Sequence, residues 1–246
     1  MHRADRINYD EIAHRYERHR SGSEEIAKEL ARLAHVDGDA VVLDVGCGTG
    51  SASAAFQQLT EATVCAVDAS AEMLRYAQRK SRAVKLVRAD ARRLPFCDAR
   101  FDFAYALMLI HHLEDVPGFV RELYRVMRRG KVAILTCSHE WIKRHPMSRF
   151  FPSFAPIDLA RFPQIGSVRR WLRDAGFVKI DARPVKTKPY IADMEYIDKV
   201  ADRWVSTLQL IPDDEFQEGL KKLRKAVGSG TLTIHWEGLL LTAVKG

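Results

Sequence analysis

Three acids and three glycines near the start of the chain have the types and spacing to hold a ligand. The stretch VVLDVGCGTG, residues 41–50, runs apolar, breaks at Asp44, and then places Gly46, Gly48 and Gly50 at alternate positions. Glycine admits positive φ and carries no Cβ, so such a turn lets a flat or extended ligand lie against bare backbone. A dinucleotide fingerprint needs its third glycine where this chain has Ser51. The carboxylate of Asp44 is also a poor neighbour for a diphosphate and a good one for a cation. Asp68 ends a second apolar run, ATVCAVD, where a carboxylate can accept both hydroxyls of a ribose. Asp90, in VRADARRLPF, ends a third, where it can accept from an adenine amino group. Each aspartate alone reads equally as a turn or helix cap. Three of them in register with the glycines describe a nucleoside carrying positive charge.

These residues need strands that end together. Short apolar runs at 40–45, 62–68, 84–89, 101–107 and 131–137 lack period-2 alternation, as strands buried on both faces should. Helical patterns separate them. One covers 51–59. Another covers 70–80, capped by Ser70 with Glu72 in its first turn. A third covers 116–128, with Pro117 in its first turn and Arg128–Arg129 at its end. The alternation predicts βαβ crossovers and a doubly wound, mostly parallel sheet. Residues 139–166 hold four prolines and four phenylalanines in HPMSRFFPSFAPIDLARFP and are expected to be irregular. A helix capped by Ser167 and stopped by Gly176 precedes a strand at 177–183. Two amphipathic helices lie within 191–227, the second after a cap at Asp213, and a long strand interrupted at Gly238 spans 232–244. The reading is one domain over 1–246 with a C-terminal helical insertion.

Composition narrows the classes. Hydrophobic residues make up 47% of 246, so the chain is globular. No apolar run approaches the ~18 residues of a membrane span. The charged start, MHRADRINYDEIAHRYERHR, lacks the apolar centre of a secretion signal, so a cytoplasmic protein is expected. Cys47, Cys65, Cys97 and Cys137 form no CxxC pair, which favours reduced thiols and argues against a metal site. The net charge of +7 admits a nucleic-acid partner, but Lys and Arg are spread along the chain rather than clustered with aromatics.

VLDVGCGTG, AVDASAEML, RADARRLPF and FDFAYALMLIHHLED resemble the successive motifs of class I S-adenosylmethionine-dependent methyltransferases, in particular the small-molecule, type 11-like branch. The resemblance covers 36–137 and, more loosely, YDEIAHRY. It implies seven strands in the order 3-2-1-4-5-7-6 with the last antiparallel, and S-adenosylmethionine as cofactor. Gly46 and Gly48 then approach the methionine part, with Asp44 beneath its amino group and Cys47 a small filler in the turn. Asp68 takes the ribose beside Ala69, Asp90 and Ala91 hold the adenine, and Leu107 lines the cofactor. Tyr16 and Arg20 belong to an N-terminal segment, 1–30, that closes over it in similar proteins; a plain surface helix is the other reading. The usual Pro-Gly-Gly turn before the fifth strand is reduced to Gly130 in RVMRRGKVAIL.

The implied reaction is in-line methyl transfer to a small-molecule acceptor. His112, or else His111, at the end of the fourth strand is the candidate base, because imidazole titrates near neutrality. Structural packing of HHLED is the competing reading, and His139 is a weaker rival. Segments 139–166 and 191–227 are expected to cap the acceptor, with Trp204 or Phe216 facing it. Two alternatives are an RNA-modifying methyltransferase and a non-catalytic cofactor-binding subunit. The first is disfavoured because ALMLIHHLED stands where amino-group methyltransferases carry Asn/Asp-Pro-Pro-aromatic.

Overall fold

The computed structural model describes residues 7–19 and 23–246. Strands β1 (Val41–Val45), β2 (Thr63–Asp68), β3 (Lys85–Arg88), β4 (Phe101–Leu107) and β5 (Met127–Thr136) pair in parallel. Two short strands, β7 (Tyr190–Ile191) and β8 (Thr233–Ile234), form a separate two-stranded antiparallel sheet and lie in the chain between β6 (Val178–Lys186) and β9 (Glu237–Lys245). The main sheet runs β3-β2-β1-β4-β5-β9-β6, the expected order, with β9 antiparallel to both neighbours.

Helices cover both faces, which is why the central strands β1 and β4 are largely apolar, while the edge strands β3 and β6 carry charged residues. Beneath one face lie α2 (Ser23–Ala34) and α3 (Ser51–Thr60), with Leu30 and Phe56 fully buried. On the other lie α5 (Val116–Val126) and α8 (Ile165–Asp174), which bury Phe119, Leu123, Val168 and Leu172. Each such side chain contributes about 1.5–3 kcal/mol of burial. Helix α4 (Ala71–Lys80) starts as expected, with Ser70 Oγ accepting from the Met73 N–H at 3.1 Å. Register brings the ligand-binding candidates to one edge. Val45 pairs with Val67 and Asp68 with Arg88, so the chain leaves β1, β2 and β3 on the same side of the sheet.

Several boundaries differ from the sequence expectation. Helix α5 stops at Val126, and Arg128 and Arg129 already belong to β5. There is no turn at Gly130. It sits inside the strand at φ 111°, where a Cβ would fall 2.3 Å from the Asp102 carbonyl oxygen. Close approach of β4 at a register shift, rather than chain reversal, is what requires glycine there. Helix α8 begins at Ile165 with Gln164 before it, not at Ser167, and α11 (Asp213–Gly228) includes Asp213 in its first turn. The long terminal strand is broken at 235–236, while Gly238 lies within β9 opposite Val185.

Residues 139–166 are helical rather than irregular: α6 (His139–Arg144), a 3-10 turn at Pro146–Arg149, and α7 (Phe154–Arg161). The prolines punctuate helices instead of preventing them, because each falls at or near a helix start. With α9 (Met194–Ala201), α10 (Ser206–Gln209) and α11, this segment forms a core of its own, built on Phe151, Ile197, Val200 and Leu223. Among the described residues no helix is long and apolar enough to cross a membrane.

Candidate functional site

The turn after β1 is held open by glycine. Gly46, Gly48 and Gly50 have φ of 74°, 54° and 73°. A Cβ at Gly50 would lie 2.6 Å from that of Ala77, so α3 and α4 could not approach as they do. The Gly46 and Cys47 N–H groups donate to the Val67 carbonyl at 2.8 and 3.0 Å. The Gly48 N–H donates to Asp68 Oδ2 at 2.8 Å, and the Ser70 N–H to Oδ1 at 2.9 Å. Burial raises the Asp68 pKa, while these N–H groups and that of Ala69 act to lower it. A carboxylate offers about four acceptor positions, so these N–H groups leave room for a ligand.

Gly46, Gly48, Asp68, Ala69, Asp90 and Ala91 line one cavity of about 1750 Å³. Leu107, Tyr16, His111 and His112 line it too. Asp90 is exposed and pairs with Arg92, Nη2 to Oδ2, at 2.7 Å. Asp44 and Cys47 do not line this space. Asp44 is 1% exposed and accepts from Ser53 Oγ at 2.6 Å. Cys47 is buried, its Sγ 3.6 Å from the Gly48 carbonyl. Arg20 lies outside the described residues. Asp68 and Asp90 thus present carboxylate acceptors to one cavity from adjacent strand ends, beside the glycine turn.

Helix α1 (Tyr9–His19) lies across this edge. Asp10 Oδ1 accepts from Ser70 Oγ at 2.5 Å and from the Glu72 N–H at 3.1 Å. Asp10 thus caps α4 from a distant segment, and the Ser70 hydroxyl chiefly lowers its pKa. Lys80 Nζ donates to Glu17 Oε2 at 2.6 Å and to Thr49 Oγ1 at 3.2 Å. The far end of α1 reaches the insertion, where His19 and Arg18 bond Asp202 at 2.6 and 3.0 Å.

Opposite the glycines, the 3-10 turn Ile110–His112 brings two histidines into the cavity wall. His111 stacks on Phe162 at 4.0 Å, and burial holds its pKa well below the ordinary histidine value. Burial, and secondarily Arg161, pushes His112 down to about 3. Its Nδ1 is 3.4 Å from Arg161 Nη2 and its Nε2 is 2.7 Å from Tyr9 Oη. A guanidinium only donates, so Nδ1 accepts and the proton sits on Nε2, directed at Tyr9. Both ring nitrogens are therefore engaged, and the imidazole is neutral. Arg161 Nη2 also donates to Ser206 Oγ at 3.0 Å. Asp158 accepts from Thr207 Oγ1 at 2.8 Å, and burial pushes its carboxyl up to about 6.

Trp204 lines the cavity; Phe216 does not, being buried against Phe151 at 5.6 Å between ring centroids. His139 bonds the Phe162 carbonyl at 2.8 Å and lies outside the cavity wall. Sequence reasoning missed Asp10, Asp158 and Arg161. A signal existed for the last two, since IDLAR places opposite charges three apart inside a phenylalanine-rich stretch. Nothing local marked Asp10.

Residues 43–135 match the family model described as "Methyltransferase domain". A malonyl-[acyl-carrier protein] O-methyltransferase from Hamiltonella defensa is 33% identical over 128 residues, covering 52% of this chain and 49% of that protein. A demethylmenaquinone methyltransferase from Chlorobaculum parvum is 25% identical over 181 residues, covering 65% of this chain and 74% of that one. The chain matches only 36% to 49% of the length of three malonyl-[acyl-carrier protein] relatives. Among solved structures, a putative methyltransferase from an antibiotic biosynthesis pathway of Anabaena variabilis superposes with a TM-score of 0.72 at 20% identity, covering 91% of this chain and 99% of that one.

Proposed function

We propose that the chain, whose residues 43–135 match the methyltransferase domain model, transfers a methyl group from S-adenosylmethionine to a small organic acceptor. The observation that carries this reading is the cavity itself, where the Gly46–Gly50 turn and Asp68 share one enclosure with residues of the helical insertion. Asp68 holds the ribose hydroxyls and Asp90 the adenine amino group, each as acceptor. S-adenosylmethionine, when bound, supplies an electrophilic methyl on a sulfonium. The chain's own task is to align an acceptor with that methyl and exclude water. Such positioning is worth about 7–11 kcal/mol of barrier.

Helices α1, α7, α9 and α10 act as the cap, since Tyr16, Arg161, Tyr196 and Thr207 all border the cavity, with Trp204 from the loop between α9 and α10. His112 serves to position Tyr9 and Arg161 rather than to take a proton, because both of its nitrogens are already bonded. The acceptors named for the relatives range from an acyl thioester to a quinone, which suits an enclosed site better than a polynucleotide surface. All four cysteines are unpaired thiols, which supports a reducing compartment such as the cytoplasm.

Incubation with methyl-labelled S-adenosylmethionine and a mixture of small metabolites and RNA tests the reading. Label is expected in a small organic product, with S-adenosylhomocysteine released in equal amount. Label appearing in RNA alone, or no S-adenosylhomocysteine at all, sinks it.

A further inference from the structure

The acceptor side of the cavity holds donors that the chain's own acceptors leave unmet. The Arg161 side chain is only 6% exposed. Ser206 and His112 engage its Nη2, but its Nη1 is buried with no hydrogen-bond partner. Asp158 Oδ1 lies 3.5 Å from Nη1, within ion-pair range but without hydrogen-bond alignment, and accepts from Thr207 instead. Three residues before the end of that bonding set, Trp204 repeats the pattern: its Nε1–H is buried and unpartnered, and an indole nitrogen can only donate. Both side chains line the cavity. A buried donor left unmet costs about 1–3 kcal/mol, and more when charged, so two of them on residues that line one cavity point to a ligand that accepts.

The charge is also set. His111 and His112 are neutral, and burial chiefly lowers His145, another wall residue, to about 4. Positive charge at neutral pH is carried on this wall by the Arg161 guanidinium, which its two bonds at Nη2 hold in one orientation and whose Nη1 faces the Asp158 carboxylate at 3.5 Å. Burial lowers the Arg161 pKa, against the opposing pull of Asp158. An apolar acceptor or an amine would leave both donors stranded, whereas an anion supplies the hydrogen-bond acceptor that Asp158, committed to Thr207, does not.

We propose that the methyl acceptor bears a carboxylate, and that Arg161 Nη1 and Trp204 Nε1 donate to it. The proposal rests on the methyltransferase reading above and narrows its substrate class to acids. The carboxylate is the handle that sets the acceptor's orientation, and the aromatic wall receives the body of the molecule. Arg161 thereby determines specificity: a neutral amide of the same shape keeps an acceptor oxygen but loses the charge.

The test uses the full chain saturated with S-adenosylhomocysteine. It is titrated calorimetrically with 3-phenylpropanoate, 3-phenylpropanamide and 3-phenylpropylamine, one body with three charges. The acid is expected to bind at least tenfold tighter than the amide, and the amine not at all. Arg161→Gln should weaken the acid by about 10- to 100-fold, the range for hydrogen bonds to a charged group. Trp204→Phe should weaken it by a few fold, and neither variant should move the affinity for S-adenosylhomocysteine, which also reports folding. The proposal is overturned if the amide or amine matches the acid, if the acid fails to bind, or if Trp204→Phe and Arg161→Gln both leave its affinity unchanged. A chain that does not bind S-adenosylhomocysteine fails the methyltransferase reading instead.

Discussion

The floor of the cavity around Gly46, Gly48 and Asp68 is made by loops that each directly follow a strand, and its contacts are mostly backbone N–H groups on one carboxylate. The wall around His112, Arg161 and Trp204 is made by side chains drawn from distant segments. Tyr9 meets His112 across 103 residues, and Arg161 meets it across 49. The floor is a property of the sheet and tolerates little change in backbone shape. The wall is a property of the insertion, where side chains are exchangeable without altering the fold. A common cofactor and a variable acceptor call for this division.

Breaking the floor should have the largest effect. Gly50→Val places a branched side chain at φ 73° and against Ala77, whose Cβ lies 2.6 Å from the added atom. Left-handed backbone costs about 1–2 kcal/mol and overpacking about 1–3, so unfolding stability should fall by about 2–5 kcal/mol. Urea denaturation reads this. A variant that unfolds at the wild-type midpoint would show the α3–α4 contact to be loose.

Acid should damage the wall next. His112 titrates near 6.5 when unfolded and about 3 when folded. Above pH 6.5 it is neutral in both states and its contribution is complete. As pH falls below that, the unfolded chain binds the proton and the folded one does not, so stability declines. By pH 5 the loss is about 2 kcal/mol for this group, at 1.36 kcal/mol per unit. His112→Gln should lose less between pH 7 and 5, measured by urea unfolding at each pH. Equal losses would mean that His112 is protonated freely in the folded state. The same burial predicts no inflection near pH 6.5 from His112 in kcat/KM.

The smallest effect should come from the strap between the two regions. Asp10→Ala removes a cap from α4, an effect of about 0.5–1 kcal/mol at this solvent-facing position, the low end of the range for caps. Asp10 has its pKa lowered on folding. Its contribution is thus present above the ordinary carboxylate range and lost as pH drops through it. The variant and the parent should differ at pH 7 and draw together as pH falls below the ordinary carboxylate range, with a few-fold weaker S-adenosylhomocysteine binding at neutral pH.

The same division governs what could be read from the chain. Gly46, Gly48, Asp68 and Asp90 sit next to the strands that place them, so spacing alone located them. The ends of β1 to β4 followed from apolar runs bounded by these turns, while the strand order came only with the family resemblance. Arg161 and Asp158 looked like one more charged pair on a helix, because their significance comes from burial under α10, which no local pattern encodes. Phe216 looked like a cavity residue because its helix is amphipathic, yet that stripe packs against Phe151 in the insertion's own core. Gly130 looked like the remnant of a turn, since sequence cannot distinguish a chain reversal from the close approach of a neighbouring carbonyl. Asp10 was invisible for the same reason as Arg161: its partner, Ser70, is 60 residues away.

The account stands most directly on Asp68, which joins the glycine turn to the proposed ribose. Calorimetric titration of S-adenosylhomocysteine into the parent chain and into Asp68→Asn compares a carboxylate with a neutral group of the same shape. The parent is expected to bind S-adenosylhomocysteine and not NAD, and the substitution to weaken binding by about 10- to 100-fold through loss of charge-assisted hydrogen bonds. Equal affinity in the two proteins, or binding of NAD in place of S-adenosylhomocysteine, would contradict it.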